Sequence, residues 1–522
     1  MKSQSSILRD FTVDGRVWIL SALAIPIGIC VTFVAVLLLR AIGFFTNLFY
    51  YHRFSTAFVS PAGSPLGHWM LIVPVVGGLI VGLMARFGSD RIRGHGMPEA
   101  IEAVLIHRAR VAPRLAVLKP LSAAIAIGSG GPFGAEGPII MTGGAVGSLL
   151  AQWIKLTDAE RATLLVAGSA AGMTAVFSTP LAAILLAVEL LLFEWRPRSL
   201  VPVAIAAATA AILRDHFLPA GPLFPMASQS SAFLPQFAVL ILLFGMLTGV
   251  AGALLSRMVY FFEDLFEHLP IHWMWWPAIG GVCIAAGGFF FPRGLGVGYD
   301  NIAQLLHGDA PYALIFGILI AKSFMWSSSL GSGSSGGVLA PLLMMGAGFG
   351  ALAARLTHAD PALFALIGMG AMLSGSLGVP LTAIVFSLEV THCYPALLPL
   401  TIACTGAYLV AALIMPRSIL TEKISRRGFH LTREYGIDPL EMVMVRDRML
   451  QADSPQSPAV YVFSDVTCRD AAEVMATEGV TSLPVLDRKT SATIGIINVE
   501  HLLFGRNKAA QRENDRERLF GH

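Results

Sequence analysis

The run GSGGPFGAEGP at Gly128–Pro138 returns as GSGSSGGVLAP at Gly331–Pro341, and the correspondence continues downstream in step. Met141, Gly143 and Gly147 meet Met344, Gly346 and Gly350; further on, Gly168 falls on Gly368, Pro180 on Pro380 and Glu189 on Glu389. The chain is therefore a duplication with a spacing of about 200 residues. Each copy opens with a glycine-rich turn that interrupts apolar sequence. In a membrane protein, paired interruptions of this kind point to a substrate site where the repeats meet.

Composition places the chain in a bilayer. Of 522 residues, 55% are hydrophobic and only 13% charged, and the mean hydropathy is +0.69, too apolar for a water-soluble domain. A soluble enzyme is excluded, and no nucleophile, metal cluster or phosphate loop stands out. The formal charge of +3 is too small for a nucleic-acid partner. Cys30, Cys283, Cys393, Cys404 and Cys468 are scattered without metal-ligand spacing, so neither a disulfide framework nor a metal site is expected, and no cofactor. The polar lead of residues 1–15 lacks a cleavage site and reads as a cytoplasmic arm. Arg417, Lys423, Arg426, Arg427 and Arg433 follow the last apolar segment, which by the positive-inside bias puts the C-terminal tail in the cytoplasm as well.

Val17–Ile42, Trp69–Met84, Phe237–Val259 and Leu397–Met415 are apolar segments that the pattern assigns to membrane crossings, within repeats spanning 16–215 and 235–427. Leu121–Ile127, between Pro120 and Gly128, falls far short of the roughly 20 residues a crossing needs, and the segments around Gly143 and Gly346 are short and glycine-broken. All three are expected to be partial helices. Non-helical backbone at membrane depth survives only where protein or a polar cavity satisfies it, so the turns should line a pathway. A helix that starts after such a turn aims unpaired N–H groups and partial positive charge at the occupant, which favours an anion.

The duplicated pattern resembles the CLC chloride channels and proton-coupled chloride antiporters. GAEGP at Gly134–Pro138 is similar to that family's GxEGP signature, GVLAP at Gly337–Pro341 to its GxFxP signature, and GHGMPE at Gly94–Glu99 occupies the place of GSGxPE. The resemblance implies an all-α polytopic fold of two inverted repeats with broken helices. It also implies a homodimer, with an anion pathway in each subunit, in the inner membrane of a prokaryote.

The resemblance further implies an anion site built from His95, Gly96, Glu136, Gly137, Val338 and Leu339, with the amides of the last four residues as donors. Several fixed N–H dipoles replace part of a chloride hydration shell without holding the ion too tightly to leave. Lys119 is expected to draw anions in electrostatically. Glu136 matches the gating glutamate, whose carboxylate competes with the anion for the same amides and swings away when protonated or displaced. The sequence departs from the family at two hydroxyl positions: His95 replaces a coordinating serine, and Leu420 stands where a coordinating tyrosine is expected. For His95, a turn residue bonded to local backbone and a pore-facing residue are both open readings. Glu189 and Glu389 recur in both repeats and suit a helix-end role, whereas Leu190 falls where the antiporters carry an inner proton relay.

A leucine cannot carry a proton, so the expectation is a voltage-gated chloride channel gated by Glu136. The alternatives are a proton-coupled chloride antiporter, with Glu194 as a substitute acid, and a nucleotide-sensing regulator whose membrane part is an anchor. Beyond Arg427 the composition turns polar, and residues 440–505 resemble a single CBS module, with strands at Ser482–Leu486 and Thr493–Asn498 and a closing helix. Its usual nucleotide-binding Thr-x-x-Asp reads Asn498-Val499-Glu500-His501, so a structural or dimer-stabilising tail is expected there rather than an adenine nucleotide site. Residues 506–522 read as a charged, disordered tail.

Overall fold

The computed structural model describes residues 15–226, 235–429, 440, 443–454, 460–488 and 490–503. The arm at 1–14 and the tail at 506–522 lie outside the described residues. The described chain forms two units, a helical membrane unit ending before Glu434 and a C-terminal α/β unit.

Among the described residues, eight helices of the membrane unit are long and apolar enough to cross a bilayer. The Arg16–Tyr51 helix, 36 residues and so about 54 Å long, exceeds the roughly 30 Å hydrocarbon thickness. The short segments differ from expectation. Leu121–Ile127 is the second half of a helix that begins at Pro113 and runs through Pro120 to Gly128. Its 16 residues still rise only about 24 Å. Nor do the glycines near Gly143 and Gly346 break their helices, which run unbroken from Glu136 to Gln152 and from Leu339 to Thr357.

Those glycines bring helices together. A Cβ on Gly143 would lie 2.3 Å from the Gly168 carbonyl oxygen, and one on Gly168 2.1 Å from that of Gly143. Gly346 and Gly368 repeat the pair at 2.4 and 2.3 Å. In lipid, where apolar side chains gain nothing by leaving the solvent, such backbone-to-backbone packing is a main source of helix association. The repeats also share helix ends. Thr157 opens the Asp158–Phe177 helix by a capping box with Glu160, and Asp360 opens Pro361–Leu377 by accepting from the Ala362 amide at 2.9 Å. The two helices close on left-handed residues at equivalent places, Ser178 and Gly378. Next come Pro180–Leu186, which continues as a π-helical turn at Ala187–Leu192, and its counterpart Pro380–Thr391.

In the C-terminal unit, Thr493–Asn498 pairs antiparallel with both Leu450–Ser454 and Ser482–Leu486, and Val462–Phe463 adds parallel to the latter. Leu450–Ser454 and Val462–Phe463 are additional to the two strands expected from sequence. The Cys468–Glu478 helix, capped by Thr467 with Asp470, packs Ala471 and Met475 on Leu483, Val485 and Ile497. Asn498 accepts from the His501 amide at 3.0 Å, so the side chain that opens the Asn498–His501 segment serves as a helix cap.

Candidate anion site

The glycine-rich turns meet in the buried interior of the membrane unit. Gly134 and Gly337 exchange backbone hydrogen bonds, Gly337 N–H to Gly134 O at 2.7 Å and Gly134 N–H to Gly337 O at 3.2 Å. Gly94 is tied to the second repeat, donating to Ser334 O at 3.2 Å and accepting from Gly336 at 3.4 Å. These bonds join GHGMPE, GAEGP and GVLAP, which lie far apart in sequence, at one junction. Two glycines there are sterically required. A Cβ on Gly137 would sit 1.7 Å from the His95 carbonyl oxygen, and Gly96 has φ +88° with the Gly137 carbonyl 2.7 Å from where its Cβ would be.

Glu136 is fully buried as the first residue of its helix, and neither carboxylate oxygen has a hydrogen-bond partner. The carboxylate curls back on its own turn. A Cβ on Gly134 would lie 1.6 Å from Oε2 and one on Gly337 2.6 Å from it, so the group is lodged between the two signature turns. A buried carboxylate without a full set of donors is costly, and at membrane depth that cost marks a functional group. Around it, the first turns of the Glu136–Gln152 and Leu339–Thr357 helices leave N–H groups without helical partners. Of these, the Ala340 amide faces the Glu136 carboxylate without completing a hydrogen bond, and the Lys322 ammonium acts on it electrostatically.

Lys119 and Lys322 hold the flanking turns. The buried Lys119 ammonium donates to the carbonyls of Ile92 at 2.8 Å and Gly94 at 2.7 Å. Lys322 donates to Gly296 at 2.9 Å and Val297 at 3.1 Å. Each lysine thus fixes a glycine turn. Lys423 stands at the first turn too, its Nζ 2.4 Å from where a Gly94 side chain would begin. Arg427 pairs with the buried Glu99 at 2.9 Å and with Glu102. Sequence reasoning missed Lys322 and Ala340, although Lys322 precedes Gly331 by the interval that separates Lys119 from Gly128, and Ala340 precedes Pro341 as Gly137 precedes Pro138.

His95 is buried with Nδ1 unpartnered, and Lys119, Lys423 and Arg427 oppose Glu99 in its electrostatic surroundings. Protonation would add a further positive charge beside three cations. With Nδ1 bonded to no backbone group of the turn, both readings of His95, turn residue and pore-facing residue, stand. Leu420 is buried in the Ile419–Arg426 helix, opened by a Ser418–Thr421 capping box and packed on the Met97–Leu105 helix. Leu190 is buried in the π-helical turn. Glu194 is engaged by Arg196 at 3.5 Å, Arg198 at 3.6 Å and the Ser199 hydroxyl. Glu189 caps a helix of the other repeat, accepting from the amides of Leu381 at 3.2 Å and Thr382 at 2.8 Å.

A profile of the voltage-gated chloride channel family matches residues 76–412, more than half of the chain. This chain belongs to the CLC family. The H(+)/Cl(-) exchange transporter ClcA of Vibrio campbellii is 30% identical to it over 423 residues, 77% of this chain and 85% of the relative. A putative chloride channel protein, ClcB-like, from Ralstonia nicotianae is 29% identical over 368 residues, 68% of this chain and 85% of the relative. Among solved structures, a slow cyanobacterial Cl-/H+ antiporter matches with TM-score 0.70 at 21% identity, covering 80% of this chain and 99% of that one. A CLC-type fluoride/proton antiporter matches with TM-score 0.67 at 21% identity, covering 78% and 98%. The membrane part of this CLC protein is an anion transporter, and not merely an anchor for a sensor.

Proposed function

We propose that this CLC protein exchanges chloride for protons, with Glu136 as the group through which the two ions compete. The observation that carries the proposal is the Glu136 carboxylate lodged between Gly134 and Gly337, buried and without hydrogen-bond partners. A charged carboxylate there excludes an anion from the same N–H groups. Protonation removes its charge, lets it leave, and gives the donors to chloride. Each cycle then moves a proton with the side chain and an anion in the place it vacates. Relatives named as H(+)/Cl(-) exchangers support coupling over the passive channel that Leu190 suggests from sequence. Because Leu190 offers no carboxylate, the proton crosses the remaining distance by water.

The test is purified protein in liposomes with chloride and pH recorded together. An outward chloride gradient should drive protons inward against their own gradient, and Glu136→Gln should abolish proton movement. Chloride efflux that leaves proton distribution unchanged would return the passive channel, the reading that buried Leu190 favours. As further parts of the proposal, the protein is a homodimer with both termini in the cytoplasm, and residues 440–505 form a CBS-like structural tail.

A further inference from the structure

A cleft opens beside the helix that follows the GHGMPE turn. Glu99, Glu102 and Ala103 of that Met97–Leu105 helix line it, and Val111, Leu115 and Met141 give it an apolar side. Its arginines are Arg91, Arg110 and Arg427. Arg427 is taken by both carboxylates, Glu99 at 2.9 Å and Glu102, and Glu102 also meets His107 at 3.1 Å. Arg91 and Arg110 differ. Among the described residues neither guanidinium has a hydrogen bond or an ion pair, whereas Arg108, in the same loop as Arg110, pairs with Asp158 at 3.7 Å.

The backbone fixes where these two arginines stand. Lys119 donates to the carbonyl of Ile92, next to Arg91, at 2.8 Å. Around Arg110, the Ser148 hydroxyl accepts from the Val111 amide at 3.1 Å and donates to the Ala109 carbonyl at 2.6 Å. Two guanidinium forks without acceptors, held at one cleft, suit the oxygens of a phosphate. Three arginines against two carboxylates leave one positive charge in the lining, and Lys119 and Lys423 offset Glu99 further. A phosphodiester, which carries one negative charge, balances it.

The depth of the cleft points to the source of that phosphate. The Val111 carbonyl accepts from Gln152 at 3.3 Å, and Trp153, next along the chain, is 82% exposed. An exposed indole at the end of a helix of the membrane unit marks the level where hydrocarbon meets headgroups. Arg427 directly follows the apolar stretch Tyr394–Arg426, which is long enough to cross. A basic pocket between membrane helices at that level takes an anionic lipid headgroup. We propose that this cleft binds the phosphodiester of an anionic phospholipid, with Arg91 and Arg110 on its oxygens and Val111, Leu115 and Met141 against the start of its acyl chains.

The test is native mass spectrometry of the full chain in neutral detergent, titrated with phosphatidylglycerol, phosphatidylcholine or water-soluble glycerol phosphate. Wild type should bind a first phosphatidylglycerol per protomer more tightly than phosphatidylcholine. Combining Arg91→Gln with Arg110→Gln should weaken that binding about 10- to 30-fold, the worth of two arginines near an anionic lipid. Arg108→Gln, in the same loop but paired with Asp158, should bind as wild type does. Chloride efflux from phosphatidylcholine liposomes at the wild-type rate verifies that the double variant is assembled. If it is not, Arg91→Gln and Arg110→Gln decide singly, each expected to weaken binding about 3- to 6-fold. Unchanged phosphatidylglycerol binding in the Arg91 and Arg110 variants, or equal affinity of wild type for phosphatidylcholine, overturns the site. An equal loss in Arg108→Gln would assign binding to the general charge of this face, and displacement of the lipid by glycerol phosphate would assign the cleft to a free phosphate ligand; either result also overturns the proposal.

Discussion

Glu189 and Glu389 exchange helix caps across the two repeats. Glu189 accepts from the Thr382 amide at 2.8 Å and from the Thr382 hydroxyl at 2.6 Å, while Glu389 accepts from the amides of Ala182 at 2.8 Å and Leu181 at 3.0 Å. Each carboxylate sits on the positive end of the other repeat's helix, where orphan N–H groups are otherwise unsatisfied. The pair therefore clasps the repeats together.

Replacing either residue by alanine should destabilise the protein. A charge-assisted bond of this type contributes about 1.5–3 kcal/mol, so Glu189→Ala and Glu389→Ala should each lower the unfolding temperature in detergent by several degrees. Chloride turnover at low temperature should persist. Loss of proton coupling in Glu189→Ala with an unchanged unfolding temperature would reassign Glu189 to the proton route.

Backbone approach at the helix contacts gives a sharper stability test. Gly168→Ala brings a methyl to 2.1 Å from the Gly143 carbonyl oxygen, and Gly368→Ala to 2.3 Å from that of Gly346. Neither backbone can yield without separating two helices, so each should cost about 1–3 kcal/mol. Gly348→Ala, on the Leu339–Thr357 helix that carries Gly346, meets its nearest atom, Ile318 Cγ2, at 3.4 Å, and should be tolerated. Thermal unfolding of the three variants in one detergent decides it; equal losses would mean that helix propensity rather than contact governs these positions.

Most of the architecture was legible because duplication makes a sequence its own comparison. Gly143, Gly168, Gly346 and Gly368 aligned before their contacts were visible, and the GxEGP run pointed to Glu136 through the expense of a carboxylate in apolar surroundings. The periodicity of short apolar runs was a weaker guide. Pro120 looked like a boundary, yet the helix passes through it, and glycines read as breaks proved to be contact points. Lys322 was missed for another reason. The part Lys322 plays comes from bonds that join residues far apart in the chain, and a lysine in an apolar run does not declare its partners. Leu190 offers no proton carrier where the resemblance places a relay, but one such position does not determine whether flux is coupled.

Lys119 and Lys322 should prove equally necessary despite lying in different repeats. Each buried ammonium satisfies two carbonyls, those of Ile92 and Gly94 or of Gly296 and Val297. Lys119→Met or Lys322→Met would remove a buried charge and orphan two acceptors, at about 1–3 kcal/mol for each unsatisfied group. Chloride flux should fall at least about tenfold, because the signature turns lose their support. Liposome efflux normalised to correctly assembled protein checks this. Full flux in Lys119→Met would leave that lysine without a part in either fixing the turn or attracting the ion.

The C-terminal unit provides a pH test separate from transport. Arg488 donates from Nε to Asp465 Oδ2 at 2.7 Å and lies over the Phe463 ring, 4.2 Å from its centroid. That hydrogen bond holds the Asp465 carboxyl below its ordinary value. A carboxyl whose affinity for protons is lower in the folded state stabilises the fold above its unfolded pKa, near 4, and loses that contribution as pH falls through the depressed folded value. The pair is exposed, so the effect should be small, about 0.5 kcal/mol at pH 7. Hydrogen exchange at Val462–Val466 in the intact protein, corrected for intrinsic rates, should show Asp465→Asn less protected than wild type at pH 7, with the difference fading below pH 3. An equal difference at both pH values would assign the loss to packing instead of charge.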